Sequence, residues 1–98
     1  MSYSEAPAAE HAARVAAGAQ LVDVREPDET AAASLPDSIF IPLGELPDRI
    51  GELDPSRPVV LLCRSGGRSG KASEFLVANG FSDVTNLTGG MMSLGLQN

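Results

Sequence analysis

The chain has 98 residues, 43% of them hydrophobic, and a net charge of −6 from 13 acidic and seven basic side chains. This acidity argues against nonspecific binding to nucleic acid or to an anionic membrane, and no apolar run reaches the ~18 residues of a spanning helix. The single cysteine excludes an internal disulfide, a CxxC redox pair and a thiolate zinc cluster, and it fits a reducing compartment. Because the N-terminus also lacks the regions of a signal peptide, we expect one cytoplasmic domain spanning residues 1–98.

Strand and helix patterns alternate through the first half of the chain. Ala and Val residues recur at helical spacing before Gly18, which is a typical helix end. Two short apolar stretches further on indicate strands, and the second is stopped by Pro42. The pattern predicts an entry strand over 2–5, a helix over 8–17, a strand over 20–24, a weak helix over 28–34, a strand over 38–41 and a helix over 44–53.

The second half is organised around one strand that leads into a glycine-rich turn. Val59–Leu62 is an apolar run that predicts a buried strand, and Cys63 follows it directly. The pattern then predicts a helix over 68–79, a short strand over 84–87 and a helical stub over 91–96. This alternation predicts an α/β fold with a mostly parallel central sheet of about five strands and helices on both faces. Ligands of such sheets bind beyond the carboxyl ends of the strands, where Cys63 is placed.

The turn over residues 63–69 has the composition of an anion-binding bowl. Backbone N–H groups of a Gly-rich turn at a helix N-terminus point inward and favour negative charge, so the pKa of a thiol placed there should fall. Arg64 and Arg68 add positive charge, and residues 55–73 contain no acid. Cys63 is therefore the candidate nucleophile. The alternative is that Cys63 is a small buried hydrophobic residue.

Three other polar side chains each leave two interpretations open. His11 is either a catalytic base or a solvated residue on the helix surface. Asp23 and Arg25 flank Val24, so they share one face if the strand continues through them. They are either a catalytic carboxylate with an anion clamp or an ion pair that holds the loop at the strand end.

Two other classes of phosphate-binding loop require a different spacing. A nucleotide P-loop needs Lys followed by Ser or Thr, but here Lys71 precedes Ala72, and Ser65 stands where the first Gly is needed. A cysteine phosphatase loop has five residues between its Cys and its Arg, whereas the segment from Cys63 to Arg68 has one fewer. These spacings disfavour nucleotide binding and phosphatase chemistry.

Four motifs in this order resemble the rhodanese family of sulfurtransferases, and the similarity covers nearly the whole chain. The matching segments are residues 21–29 for the first signature strand and turn, 38–43 for the Ile-Pro strand, 63–69 for the active loop and 87–90 for the closing Gly-Gly turn. The resemblance implies a single rhodanese-like domain.

The chain departs from the family pattern at three places. The family stretch Gly-His-Ile-x-Gly-Ala is replaced by residues 33–38, Ala-Ser-Leu-Pro-Asp-Ser. The aromatic residue that commonly follows the glutamate matched by Glu29 is Thr30, and the Trp that commonly follows Gly-Gly is Leu94. These changes concern the rim of the pocket and the packing of the chain ends, and the nucleophile is retained.

The resemblance implies sulfur transfer in two steps through a persulfide of Cys63. The thiolate would attack the outer sulfur of an anionic donor, thiosulfate or a persulfide, and a thiol or cyanide would then remove this sulfur. Neither a metal nor an organic cofactor is expected. The donor-binding residues implied by the resemblance are Arg64, Ser65, Gly66, Gly67, Arg68 and Ser69.

The composition also bears on partners. Because the chain has no second cysteine to resolve the persulfide, we expect an external thiol acceptor, either a small molecule or a protein. We expect a monomer with neither a nucleic acid nor a membrane as a partner. Two alternatives remain open. The first is a non-catalytic or weakly catalytic sulfur-carrier or docking module for a partner protein. The second is a cysteine phosphatase or arsenate reductase, because family members whose loop is one residue longer resemble phosphatases.

Overall fold

The computed structural model describes residues 2–96, and a parallel sheet forms its centre. The strands in this part of the chain are β1 (Ser4–Pro7), β2 (Gln20–Asp23), β3 (Ser38–Phe40), β4 (Val59–Leu62) and β5 (Val84–Thr88). All neighbouring strands are parallel and follow the order β1-β5-β4-β2-β3. β4 therefore lies in the middle of the sheet, and the short strands β1 and β3 lie at the edges.

Helices connect the strands. They are α1 (His11–Ala16), α2 (Pro27–Ala32), α3 (Leu46–Arg49), α4 (Gly67–Ala78) and α5 (Gly90–Ser93). Short 3-10 segments precede α1 and flank α3 on both sides. Among residues 2–96, no helix is long and apolar enough to cross a membrane.

Apolar side chains cover both faces of the sheet, as expected for a parallel sheet buried between helices. In β4, Val59 and Leu61 point to one face and Val60 and Leu62 to the other, because successive strand residues alternate. The first face packs against Leu76 of α4. The second packs against Met91 of α5 and the segment before α1.

The α/β fold class and most elements predicted from the sequence are confirmed. The entry strand begins and ends two residues later than predicted, at Ser4–Pro7, and Pro7 is accommodated because β1 is an edge strand. The helix predicted over 44–53 is wrong as a single helix: the chain forms a 3-10 turn, the short α3 and a second 3-10 turn. Gly44 and Gly51 weaken helix propensity in this segment. The domain limits at Met1 and at residues 97–98 lie outside the described residues.

Candidate active site

The cysteine lies at the carboxyl edge of the sheet, immediately after the central strand. Cys63 follows β4, and its side chain is buried, with 1% of the residue exposed. β5 and β2 lie on either side of β4 and run parallel to it, so Cys63 follows the end of the middle strand of these three. The crevice beyond the carboxyl ends of parallel strands is the usual ligand site of this architecture.

The loop wraps back over the cysteine sulfur. The backbone N–H of Gly66 donates to Cys63 Sγ at 3.0 Å, and Ser69 Oγ lies 3.3 Å from the same sulfur. Gly66 caps α4 with a φ of 111°, a conformation that side-chain-bearing residues rarely adopt. The positive end of the twelve-residue helix α4 therefore faces Cys63.

These contacts change the acidity of the thiol. Burial raises the pKa of Cys63, but hydrogen bonds from the Ser69 hydroxyl and from the backbone N–H groups of Ser69, Gly66 and Ser65 together outweigh it. The pKa of Cys63 is consequently held below its ordinary value. An inert cysteine buried among apolar groups would show the opposite shift. The interpretation of Cys63 as a simple core residue is therefore disfavoured.

A buried amide on β5 connects the two groups that contact the sulfur. Asn86 Oδ1 accepts the Ser69 hydroxyl at 2.6 Å, and Asn86 Nδ2 donates to the Gly66 carbonyl oxygen at 3.1 Å. Asn86 is 4% exposed, so its bond to Ser69 is shielded from water and its bond to Gly66 is partly shielded. Asn86 thus holds Gly66 and Ser69 in position around Cys63.

The Gly-Gly turn supports the loop from the opposite side. The N–H of Met91 donates to the Cys63 carbonyl at 3.0 Å, and the N–H of Met92 donates to the Arg64 carbonyl at 2.9 Å. A Cβ on Gly90 would collide with these same two carbonyl oxygens. Since the carbonyls of Cys63 and Arg64 are bound by the turn into α5, the N–H groups that follow are directed toward the sulfur.

The positive charge expected at the mouth of the Cys63 site is partly neutralised. Arg68 donates from Nη1 to Glu29 Oε1 at 2.6 Å and from Nη2 to Oε2 at 2.9 Å. The Glu29 hydrogen bond is the main reason that the pKa of Arg68 is raised, and the charge of Cys63 contributes as well. The segment 55–73 is free of acids in sequence, but the fold brings the carboxylate of Glu29 of α2 against Arg68.

The Asp23–Arg25 pair has the structural role, since both side chains are fully buried. Arg25 Nη2 donates to Asp23 Oδ2 at 2.7 Å and to the Ala33 carbonyl at 2.7 Å, and Nη1 donates to the Glu29 carbonyl at 3.3 Å. The pair therefore anchors α2 to the end of β2. His11 is half-buried on α1 and lines a surface hollow with Val15 and Pro36, apart from the loop.

The remaining predicted loop residues occupy the rim. Arg64 is half-buried, whereas Ser65 and Gly67 are exposed. The sequence interpretation did not include Glu29 or Asn86 in the site. The signal for Asn86 was an amide side chain in the middle of a strand expected to be buried in a parallel sheet, where a polar group requires a partner. For Glu29, the only sequence signal was its position in the segment that follows the end of β2, the region where ligands of such sheets bind.

Comparison with known proteins places this fold and loop in one family. A family model described as Rhodanese-like domain matches residues 7–95. A sulfurtransferase of Allochromatium vinosum is 41% identical over 73 residues, 74% of this chain and 68% of that protein. The thiosulfate sulfurtransferase GlpE of Pseudomonas syringae is 41% identical over 73 residues, 74% of this chain and 69% of the relative.

A solved structure supports the same assignment. The crystal structure of a rhodanese-like domain protein from Staphylococcus aureus matches with a TM-score of 0.82 and 32% identity, covering 91% of this chain and 88% of that one. The chain belongs to the rhodanese-like domain family, and the resemblance seen in its four motifs is confirmed.

Proposed function

We propose that this protein is a sulfurtransferase that carries a sulfane sulfur on Cys63. The observation that carries the proposal is the environment of Cys63 Sγ, which receives the Gly66 N–H at 3.0 Å and lies 3.3 Å from the Ser69 hydroxyl. These groups favour the thiolate, which is the nucleophilic form of cysteine. The names of the two relatives described above support the same activity.

The first step loads the cysteine. The Cys63 thiolate attacks the outer sulfur of the donor, a new S–S bond forms, and the bond within the donor breaks. With thiosulfate the leaving group is sulfite, which departs with the electron pair, so the charges balance without an oxidant or a reductant. Cys63 then carries a persulfide, and the loop N–H groups around residues 65–69 stabilise its terminal sulfur.

The second step unloads the cysteine. An acceptor thiolate or cyanide attacks the terminal sulfur, takes it away, and regenerates the Cys63 thiolate, which gives ping-pong kinetics. Since Cys63 is the only cysteine of the chain, the acceptor comes from outside. A small-molecule thiol or a protein thiol in the cytoplasm fits this requirement, and the domain over residues 1–98 acts as a monomer in this proposal.

The residues of the loop have different roles in the proposed reaction. Gly66 and Ser69 contact the sulfur, and the backbone N–H of Ser65 also donates to it. Arg64 is half-buried and Ser65 and Gly67 are exposed, so in this proposal they form the rim that an incoming donor meets. Arg68 contributes through a guanidinium that Glu29 already binds. The Cys63-to-Arg68 spacing, one residue short of a phosphatase loop, disfavours transfer of the larger phosphoryl group.

The test replaces the nucleophile. Cys63→Ser should abolish transfer of sulfur from thiosulfate to cyanide while the thermal melting temperature changes little, because the volume change is slight. Mass spectrometry of the wild type after exposure to thiosulfate should show a reducible gain of one sulfur atom on Cys63. Activity that survives in Cys63→Ser, or release of p-nitrophenol from p-nitrophenyl phosphate at a rate rivalling sulfur transfer, would refute the proposal.

A further inference from the structure

The mouth of the Cys63 site contains a carboxylate that the nucleophile itself does not require. Glu29 binds Arg68 through both oxygens, at 2.6 and 2.9 Å. The side chains of Arg68 and Glu29 are 34% and 15% exposed, so the pair is partly withdrawn from water. Bidentate pairs between Arg and a carboxylate are strong and geometrically specific.

The fold fixes this carboxylate in place. Glu29 Oε1 also accepts the backbone N–H of Glu26 at 3.0 Å, within the first turn of α2. The Glu29 carbonyl accepts from Arg25, which is itself neutralised by the fully buried Asp23. Glu29 is therefore anchored by groups outside the loop, and a donor that binds Arg68 does so in the presence of its negative charge.

We infer that Glu29 is a specificity-determining residue of the Cys63 site, which acts through Arg68 to favour low-molecular-weight organic persulfides over thiosulfate. Thiosulfate brings two negative charges, and sulfite leaves with two. Because Glu29 cancels most of the field of Arg68, the site offers a dianion less stabilisation than its arginine content suggests. The inference rests on the proposed function and names its donor class.

An organic persulfide brings less negative charge to the site than thiosulfate does. The Cys63 thiolate attacks the outer sulfur of R–S–S–H, the S–S bond of the donor breaks, and R–S⁻ leaves with the electron pair. The outer sulfur and its proton remain on Cys63. The neutral donor R–S–S–H brings no charge, whereas thiosulfate brings two, and the charge that leaves on R–S⁻ is the one that the Cys63 thiolate had. The mouth of the site, where the charges of Arg68 and Glu29 offset each other, is suited to a donor that brings no charge.

Glu29→Gln tests the inference with two donors, thiosulfate and the persulfide of 2-mercaptoethanol, whose carbon portion is uncharged. The amide keeps the length of the side chain and one oxygen for Arg68 and for the Glu26 N–H, and it removes the charge. We expect kcat/KM for thiosulfate to increase about tenfold, the scale of removing one partly screened charge near a dianion, while kcat/KM for the persulfide stays within about twofold.

The matched control is Asp83→Asn, which changes the net charge equally. Asp83 immediately precedes β5 and therefore lies at the amino ends of the parallel strands, whereas Cys63 lies at their carboxyl ends. This variant should leave kcat/KM for both donors unchanged. A donor preference that is unaltered in Glu29→Gln, or that moves toward the persulfide, would overturn the inference while leaving sulfur transfer intact. Absence of transfer from both donors in the wild type would overturn the proposed function and this inference together.

Ionic strength gives a second test that needs no variant. With Arg68 neutralised, kcat/KM of the wild type for thiosulfate should change less than about threefold between about 0.01 and 0.15 M salt, over which the Debye length falls from about 30 to about 8 Å. In Glu29→Gln the same rise in salt should lower the value more steeply. A steep decrease in the wild type would show that the mouth attracts dianions strongly, which contradicts the inference.

Discussion

The hydroxyl of Ser69 lies between two acceptors, 2.6 Å from Asn86 Oδ1 and 3.3 Å from Cys63 Sγ. It carries one proton. When Cys63 is a thiol, S–H donates to Ser69 and Ser69 donates to Asn86. When Cys63 is a thiolate, the hydroxyl turns to the sulfur and leaves the amide oxygen. Asn86 therefore acts on the cysteine through Ser69.

Ser69→Ala should raise the pKa of Cys63, because the hydroxyl is the largest of the contributions that lower it. The pH dependence of alkylation by iodoacetamide, a neutral reagent, measures this pKa. Ser73→Ala is the control, since the Ser73 hydroxyl donates to the Ser69 carbonyl and makes no contact with the sulfur.

Asn86→Asp should also raise the pKa of Cys63. The rise should be larger when Asn86→Asp is introduced into the wild type than when it is introduced into Ser69→Ala, because Ser69 connects Asn86 to the sulfur. Equal shifts in both backgrounds would contradict a route through Ser69.

The lowered pKa of Cys63 also predicts how stability depends on pH. The folded thiol loses its proton at a lower pH than the unfolded thiol, which titrates near ~8.5. The stabilisation is therefore fully present above the unfolded pKa and is lost as the pH falls through the folded pKa. The difference in melting temperature between the wild type and Cys63→Ser should grow in favour of the wild type as the pH rises through this window. A difference independent of pH would contradict the assignment.

Gly90→Ala should damage the active loop. The new methyl group would meet the carbonyl oxygens of Cys63 and Arg64, so the turn into α5 has to move away from the loop that it supports. We expect destabilisation of about 1–3 kcal/mol, typical of overpacking, and a loss of sulfur transfer larger than the fraction unfolded explains. Urea unfolding and thiosulfate turnover measure the two effects. Gly51→Ala, where a Cβ meets nothing within 4 Å, should retain full activity.

Arg25→Leu should destabilise the fold strongly. It leaves Asp23 buried without its partner and removes the donors to the carbonyls of Glu29 and Ala33. Breaking a buried ion pair from one side costs about 3–5 kcal/mol. The double variant with Asp23→Leu should be less destabilised than Arg25→Leu alone, because no unpaired charge remains. Urea denaturation of the three proteins checks this, and additive losses would show that the pair is not energetically coupled.

Asp37→Gly should stabilise the protein. Asp37 has a φ of 64°, in the left-handed region, and it stands where the rhodanese pattern has a glycine. Removing the Cβ relieves the backbone, for an expected gain of about 0.5–1 kcal/mol. Asp48→Gly within α3 provides the contrast, since glycine inside a helix lowers stability by a similar amount. A melting temperature that falls in Asp37→Gly would contradict the argument.

Local sequence was enough to predict most of the elements and to single out Cys63 as the candidate nucleophile. The run Val59–Leu62 predicted a buried strand, because four apolar residues in succession have no polar face to turn to water. The Gly-rich turn after it required a helix start, and the structure begins α4 at Gly67. The position of Cys63 at a strand end followed from these two facts, since both depend on residues adjacent in the chain.

Tertiary structure alone decided what surrounds Cys63. Glu29 reaches Arg68, Asn86 reaches Ser69, and the turn at Gly90 supports Cys63. Each contact joins segments that are distant in sequence, and each exists because the order β1-β5-β4-β2-β3 brings the ends of β2 and β5 beside the end of β4. Periodicity and turn chemistry describe neighbours along the chain. The charge at the mouth of the site depends on which strands pair, and the collective packing of both sheet faces sets that pairing.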